Sequence, residues 1–134
     1  IYLHGEALKN ASTLHPYEAY EIDKDNPDIR IGDKAPDGSQ LRPFVIYFNE
    51  DIDIRLWNKA VSAARSADIF VVVGSTMLVY PAADLLKMLP SDCKLYVVDP
   101  GNVTLPDGCV KEYVHIQSGA SQGLKQLKST LKLK

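Results

Sequence analysis

Residues 70–83 read FVVVGSTMLVYPAA, and this stretch carries the strongest structural signal in the chain. Its four consecutive apolar residues are flanked by turn residues and predict a strand buried on both faces, as in a parallel α/β sheet. Gly74 follows this strand, and a glycine there lets the backbone approach a ligand where such sheets bind ligands. The stretch therefore indicates a nucleotide-binding site.

The composition is that of an ordinary globular chain. The 134 residues are 46% hydrophobic and 24% charged, which predicts one domain with a real core. The net charge of −2, without a long basic run, argues against a nucleic acid or an anionic membrane as partner. No apolar run approaches the roughly 20 residues of a membrane span, and no signal-peptide pattern is visible, so we expect a cytoplasmic protein.

Hydrophobic spacing predicts strands alternating with helices after an irregular beginning. Residues 1–3 have the character of a strand end that delivers His4 to a loop. Asp, Asn, Pro, Gly and Lys then dominate, so we predict an irregular insertion over residues 10–40. The further elements predicted are strands at 44–48, 69–73, 95–98 and 113–116, helices at 54–66 (capped by Asp53) and 82–89, and a terminal amphipathic helix containing Leu124, Leu127 and Leu131.

This order of elements predicts an α/β fold, the second half of a doubly wound, mainly parallel Rossmann-like sheet. We assign residues 1–134 to a single partial domain in which 41–134 form the Rossmann half. The glycine-rich first turn that holds a pyrophosphate is absent, and we expect it upstream of Ile1. Such a sheet has an open edge, so we also expect self-association through that edge.

Four motifs in a fixed order point to a known family. They are His4-Gly5, Leu41-Arg42-Pro43 running into residues 44–50, Gly74-Ser75-Thr76, and Val79-Tyr80-Pro81-Ala82-Ala83. Together they resemble the sirtuins, the NAD-dependent protein deacylases, and the match is collinear along the chain and loose only between residues 9 and 40. The resemblance implies NAD as the cofactor and an acyl-lysine protein or peptide as the substrate.

His4 matches the general base of the family. In the family mechanism the acyl oxygen attacks the ribose carbon as nicotinamide leaves. The histidine then deprotonates a ribose hydroxyl, and the acyl group moves onto ADP-ribose. An imidazole, with an unperturbed pKa of about 6.5, suits that role near neutral pH. The alternative is a plain polar histidine at a strand end. His15 and His115 lack the following glycine, so we expect no catalytic role for them.

The resemblance also assigns substrate contacts. The residues concerned are Ile46, Phe48, Asn49, Glu50, Val79 and Tyr80. The first two match positions that line the acyl-lysine tunnel, where an apolar slot suits a neutral acyl-lysine; strand core is the alternative. The other four match two segments that sandwich an extended peptide as an added strand. Asn49 stands where the family usually has glycine, and asparagine tolerates a left-handed backbone.

Contacts to NAD are implied for a further set of residues. They are Gly74, Ser75, Thr76, Asp99, Pro100, Gly101 and Ala120. The first three match a turn whose backbone and hydroxyl groups meet the phosphate and ribose, with a plain strand-ending turn as the alternative. Asp99 stands where the family usually has asparagine. A carboxylate accepts from ribose hydroxyls and disfavours a 2′-phosphate, so we expect NAD rather than NADP.

The structural zinc of most sirtuins has no ligands here. The family usually carries two cysteine pairs between the regions that match Gly5 and Arg42. This chain contains only Cys93 and Cys109, with no C-x-x-C pair. We therefore expect no metal, and a metal-free acidic loop in place of the zinc module. A disulfide is not expected in an α/β chain of this type.

We interpret the chain as the carboxyl-terminal half of a sirtuin-type deacylase. We expect it to be inactive alone, because the residues that hold nicotinamide and pyrophosphate lie upstream. Two alternatives stay open. The first is a non-catalytic module that binds NAD or ADP-ribose and senses it. The second is a protein ADP-ribosyltransferase built on the same scaffold.

Overall fold

The computed structural model describes residues 1–109 and 112–132. By its internal contacts the chain divides into two compact units, Ile1–Asn58 and Lys59–Lys134. The single partial domain expected over residues 1–134 stays a prediction. No helix within the described ranges combines the length and the apolar character that crossing a bilayer requires.

The first unit is built on a three-stranded antiparallel sheet in the order β2-β1-β3. Its strands are β1 (Gly5–Ser12), β2 (Tyr20–Glu21) and β3 (Leu41–Val45). The central strand, β1, pairs with β3 in a register that shifts between Gly5 and Asn10. Ala11 and Ser12, which end β1, are fully buried. The core of this unit therefore lies under the end of β1.

Several boundaries in the first unit differ from the prediction. Residues 1–3 are not a strand: the Gly5 amide donates to the Tyr2 carbonyl at 3.3 Å in a turn, and β1 begins only at Gly5. The strand predicted at 44–48 ends at Val45, because a turn follows. Most of residues 10–40 is irregular as predicted, but the segment also contains the end of β1 and all of β2. The hydrophobic spacing did not predict these two strands because their apolar residues are isolated.

The second unit is built on a parallel three-stranded sheet in the order β4-β5-β6. Its elements are β4 (Ile69–Val73), a 3-10 helix (Ala82–Met88), β5 (Lys94–Val98), β6 (Tyr113–Ile116) and α2 (Ala120–Thr130), and α1 (Ile54–Arg65) precedes β4. The Asp53 carboxylate caps α1 by accepting from the Arg55 amide at 2.9 Å, as predicted. The α/β class, the parallel sheet and the predicted alternation of elements are confirmed.

The strand β5 lies at the centre of this sheet and contributes to both layers of its core. One cluster consists of Met77, Ala83, Leu86, Leu95 and Val97, and the other of Tyr96, Val98, Ile116 and Leu127. Alternate residues of a strand point to opposite faces, so successive β5 side chains enter the two clusters in turn. The first cluster is covered by the 3-10 helix, and the second by α2.

The strand β4 is an edge strand, and the burial on both faces predicted for it is wrong. Phe70 and Val72 pack against the first cluster. Ile69, Val71 and Val73 point the other way and stay between 36% and 43% exposed. The second cluster takes its strand residues from β5 and β6, so α2 does not cover this row of β4. Burial on both faces is instead found in β5.

Gly123 lets α2 pack closely against β5. A β-carbon built at Gly123 lies 2.2 Å from Val98 Cγ1. We expect Gly123→Ala to lower the free energy of unfolding by up to about 2 kcal/mol, because overpacking costs about 1–3 kcal/mol and helix propensity returns only about 1 kcal/mol. Urea unfolding followed by circular dichroism measures the loss. Gly119→Ala is the control without a clash, since no atom lies within 4 Å of a β-carbon built there, and its own cost at this N-cap position is below about 1 kcal/mol. Equal stability of the two variants would contradict this account.

Gly5 is constrained both by its backbone and by its neighbour. Its φ is +84°, and a β-carbon built on it lies 2.1 Å from the Phe44 carbonyl oxygen. Gly38 has a similar φ of +82° with open space around it. Alanine costs about 1–2 kcal/mol at either site through the left-handed backbone. Only Gly5→Ala adds a backbone clash, so we expect it to lower stability well beyond Gly38→Ala. Fluorescence of Trp57 during urea unfolding measures both, and similar losses would refute the clash.

Candidate functional site

His4 lies in the turn before β1, where it is exposed to solvent. Its carbonyl oxygen accepts a hydrogen bond from the Ile46 amide at 3.0 Å. This contact depends on Gly5, which allows the start of β1 to approach the Phe44 carbonyl. The first unit thus brings together the histidine predicted to act as a base and one residue predicted to line the acyl-lysine tunnel.

Ile46 and Phe48 have different surroundings, although both were assigned to the tunnel. Ile46 is partly buried and lines a cavity of about 20 Å³, together with Tyr2, Leu3 and Phe44 among others. This cavity has room for about one water and is too small for an acyl chain. Phe48 is 94% exposed, so strand core, the alternative reading of this residue, is wrong. Its large apolar ring is available to a ligand.

An ion pair closes the segment that follows β3. Arg42 donates from Nη1 to Glu50 Oε1 at 2.6 Å and from Nη2 to Glu50 Oε2 at 2.7 Å. Its Nη2 also donates to the Val45 carbonyl at 2.9 Å, and its guanidinium lies 4.6 Å from the Tyr47 ring centre. The hydrogen bonds from Arg42, and then that from the Tyr47 amide, lower the pKa of Glu50 to about 2. The Glu50 carboxylate is therefore charged and paired at neutral pH.

Asn49 takes a left-handed conformation, which asparagine tolerates better than most residues. Its φ is +67°, and the Glu50 amide donates to the Tyr47 carbonyl at 3.1 Å across the turn. A turn with positive φ at its third residue prefers glycine or asparagine. The substitution of the family's glycine by asparagine is thus compatible with this turn.

The turn after β4 exposes main-chain groups at the carboxyl end of the parallel sheet. Gly74 has a φ of +60°, and its amide donates to the Val98 carbonyl at 2.9 Å. The Ser75 hydroxyl accepts from the Met77 amide at 3.2 Å, while Thr76 is exposed. Met77 also has a positive φ, of 56°, and its side chain is buried in the first core cluster. The buried methionine anchors the turn beneath the exposed hydroxyl residue.

The residues after β5 form a second turn at the same edge. Asp99 Oδ1 accepts from the Gly101 amide at 2.8 Å. The Asp99 carbonyl accepts from His115 Nε2 at 2.9 Å, and the Pro100 carbonyl accepts from Gln117 Nε2 at 3.3 Å. Side chains at and beyond the end of β6 therefore hold the main chain of this turn. This contact of His115 was not foreseen, because no local pattern pairs it with a turn sixteen residues earlier.

Ala120 completes this edge of the sheet. It is exposed and begins α2, with Gly119 as the residue before the helix. The carboxyl ends of parallel strands meet at one edge, and that edge is where open α/β sheets bind ligands. The second unit therefore brings Gly74, Asp99 and Ala120, which follow β4, β5 and β6, to a single edge.

Val79 and Tyr80 are both about half exposed. The Val79 carbonyl accepts from the Ala83 amide at 3.0 Å, so this acceptor is already used within the chain. The Tyr80 ring lies 6.0 Å from Lys87 Nζ. Both residues belong to the second unit, whereas Asn49 and Glu50 belong to the first.

Other features of the chain offer little chemistry. A cavity of about 710 Å³ lies where β5 and β6 begin, and none of the predicted site residues lines it. Cys93 lines that cavity, and burial raises the pKa of its thiol, which disfavours the reactive thiolate. Within residues 1–109 and 112–132, no group of three or more His, Cys, Asp or Glu side chains could hold a metal ion.

Comparisons with known proteins agree with the motifs. Residues 1–81 match the model of the Sir2 family. The NAD-dependent protein deacylase of Bacteroides thetaiotaomicron is 39% identical over 136 residues, which cover 98% of this chain and 56% of that protein. This chain spans about half the length of the curated relatives it matches.

Solved structures show the same fold. A Sir2 homologue in complex with NAD has a TM-score of 0.78 at 23% identity, over 97% of this chain and 50% of its own. Sir2Tm bound to a propionylated peptide has a TM-score of 0.74 at 20% identity, over 98% of this chain and 56% of its own. These likenesses confirm the predicted Rossmann-like fold class. By its family model and its relatives, the chain belongs to the Sir2 family, the sirtuins.

Proposed function

We propose that the protein is an NAD-dependent protein-lysine deacylase that transfers the acyl group from lysine to ADP-ribose and releases nicotinamide. The observation that carries this proposal is the hydrogen bond of 3.0 Å between the His4 carbonyl and the Ile46 amide. It holds the main chain of exposed His4 against that of partly buried Ile46. The family supports the same reaction, since the relative from Bacteroides thetaiotaomicron is an NAD-dependent protein deacylase.

His4 and Ile46 have complementary tasks in this reaction. NAD, when bound, supplies the ADP-ribose that accepts the acyl group. The neutral imidazole of His4 takes the proton of a ribose hydroxyl, which prepares that oxygen to receive the acyl group. Ile46 offers an apolar contact that a neutral acyl-lysine tolerates and a charged lysine does not. Phe48, whose ring is exposed, adds a second apolar contact.

The edge of the parallel sheet suits NAD. Nothing lies within 4 Å of a β-carbon built on Gly74, so a phosphate can approach this turn closely, while the Gly74 amide itself donates to the Val98 carbonyl. The Ser75 and Thr76 hydroxyls and the start of α2 at Ala120 offer further polar contacts. Asp99, with the turn of Pro100 and Gly101, provides a carboxylate for the adenosine ribose. These residues form the proposed cofactor site.

An extended peptide carrying acyl-lysine is the proposed substrate. Asn49 and Glu50, and separately Val79 and Tyr80, are the proposed peptide contacts. We further propose that the protein is cytoplasmic, and that this chain by itself self-associates through the exposed edge of β4. Support for the latter comes from the edge position of β4 and from its row of exposed aliphatic residues.

His4→Ala tests the proposed base. Loss of a general base costs typically 10²–10⁴-fold in rate, so nicotinamide release from NAD with an acetyl-lysine peptide should fall by about that factor in the complete protein. His15→Ala is the control, because His15 is another exposed histidine of the first unit. Its hydrogen bond to the Ser12 hydroxyl comes from the main-chain amide, which alanine keeps. Near-normal turnover in His4→Ala would remove His4 from the catalytic role.

The same assay separates the two alternatives. Binding of NAD without release of nicotinamide would favour a sensor module. Release of nicotinamide with radiolabel from NAD retained on protein would favour an ADP-ribosyltransferase. The outcome expected for the deacylase is acylated ADP-ribose together with the peptide that carries unmodified lysine.

Asp99→Asn tests the proposed ribose contact. The variant keeps an acceptor for the Gly101 amide but loses the negative charge that repels a 2′-phosphate. We expect the preference for NAD over NADP, measured as the ratio of Kd values by calorimetry, to fall about tenfold, or about 1.4 kcal/mol. Asp92→Asn, an exposed change in the same unit, is the control. An unchanged ratio would place Asp99 away from the ribose.

A further inference from the structure

Arg42 has no role in the reaction proposed above, although it lies inside one of the motifs that define the family resemblance. Its guanidinium contacts the end of β3 through the Val45 carbonyl, the start of the next turn through the Tyr47 ring, and the end of that turn through Glu50. One side chain therefore joins three points of the segment that contains Ile46.

The sheet holds Arg42 firmly. It lies within β3, in register with fully buried Ala11 of β1, and its own side chain is only 14% exposed. A two-point arginine–carboxylate pair in partly buried surroundings is stronger and more directional than an exposed ion pair. Its Nε atom is buried and has no hydrogen-bond partner among the described residues, which costs stability.

The carboxylate of Glu50 accepts three hydrogen bonds in this arrangement. Oε1 accepts from Arg42, and Oε2 accepts from both Arg42 and the Tyr47 amide, at 2.7 and 2.9 Å. A carboxylate accepts about four hydrogen bonds, so one acceptor site on Oε1 of this partly exposed side chain stays open to a peptide. Most of the hydrogen-bonding capacity of Glu50 thus closes the turn, and its remaining acceptor site is compatible with the peptide contact proposed above.

We infer that Arg42 is a positioning residue for the acyl-lysine substrate. Its two-point pair with Glu50 sets the conformation of residues 46–49, and it orients the apolar contacts of Ile46 and Phe48 without touching the substrate. This inference rests on the proposed deacylase function. It requires arginine specifically, because lysine carries a point charge and cannot form the two parallel hydrogen bonds.

The test compares Arg42→Lys and Arg42→Gln with the wild type in the complete protein. We expect the KM for an acetyl-lysine peptide to rise about tenfold in both variants, while the KM for NAD changes by less than about twofold. Hydrogen exchange should accelerate about tenfold or more at the Tyr47 and Glu50 amides and stay unchanged along β1. A merely structural role would instead accelerate exchange throughout the unit and leave the peptide KM unaltered.

Arg55→Lys is the matched control. Arg55 also forms a two-point pair with a nearby carboxylate, that of Asp53, but its side chain is 71% exposed and lies on α1. Both kinetic constants should stay within about twofold of the wild type in this variant. Glu50→Gln removes the pair from the other side and leaves Arg42 in the sheet. It should reproduce the Arg42 phenotype, and it decides the question if neither Arg42 variant folds.

The outcomes separate this inference from the function beneath it. A wild type that shows no peptide-dependent release of nicotinamide refutes the deacylase. The Kd for the acetyl-lysine peptide, measured by fluorescence anisotropy in the wild type and the Arg42 variants, then tests the role of Arg42. An active wild type with unchanged peptide KM and unchanged exchange in Arg42→Lys overturns the inference alone. A selective rise in peptide KM with faster exchange at the turn supports it.

Discussion

Main-chain approaches that leave no room for a β-carbon govern both units of this protein. At Gly5 a left-handed backbone brings β1 against the Phe44 carbonyl, and the same turn exposes His4 while its carbonyl binds the Ile46 amide. At Gly123 the helix α2 closes on Val98, the last residue of β5. His4 precedes Gly5 and Asp99 follows Val98, so a candidate site residue lies next to each close approach. The geometry of both sites therefore depends on the absence of a β-carbon at one glycine.

The strand β3 ends at Val45, and hydrogen bonds from the Arg42 side chain hold the segment that follows. Beyond Val45 the Ile46 amide still donates to the His4 carbonyl, and Arg42 binds both the last carbonyl of the strand and the carboxylate of Glu50. The turn that results gives Asn49 its positive φ and leaves Phe48 in solvent. An ion pair, rather than sheet pairing, therefore shapes the segment proposed to bind the acyl-lysine.

The two candidate sites use different physics. The first relies on an exposed histidine whose main chain binds that of Ile46, with the approach fixed by Gly5. The second relies on main-chain groups at the ends of parallel strands, supported by the buried side chain of Met77 and by the contact of His115 with the Asp99 carbonyl. Chemistry that moves a proton needs the former arrangement, whereas holding a phosphate and a ribose needs the latter.

Local patterns in the sequence determined much of this protein. The apolar residues predicted the bounds of β4 and β6, and Asp53 predicted the start of α1. Asn49 is compatible with a left-handed turn. Each of these features depends on neighbours a few residues away. The tertiary structure alone decided that β1 is a strand, because buried Asn10 and Ser12 interrupt its apolar pattern. It also decided that β4 is an edge and that Arg42 pairs with Glu50. These features depend on which segments become neighbours in space, and the spacing of residue types along one chain does not encode that choice.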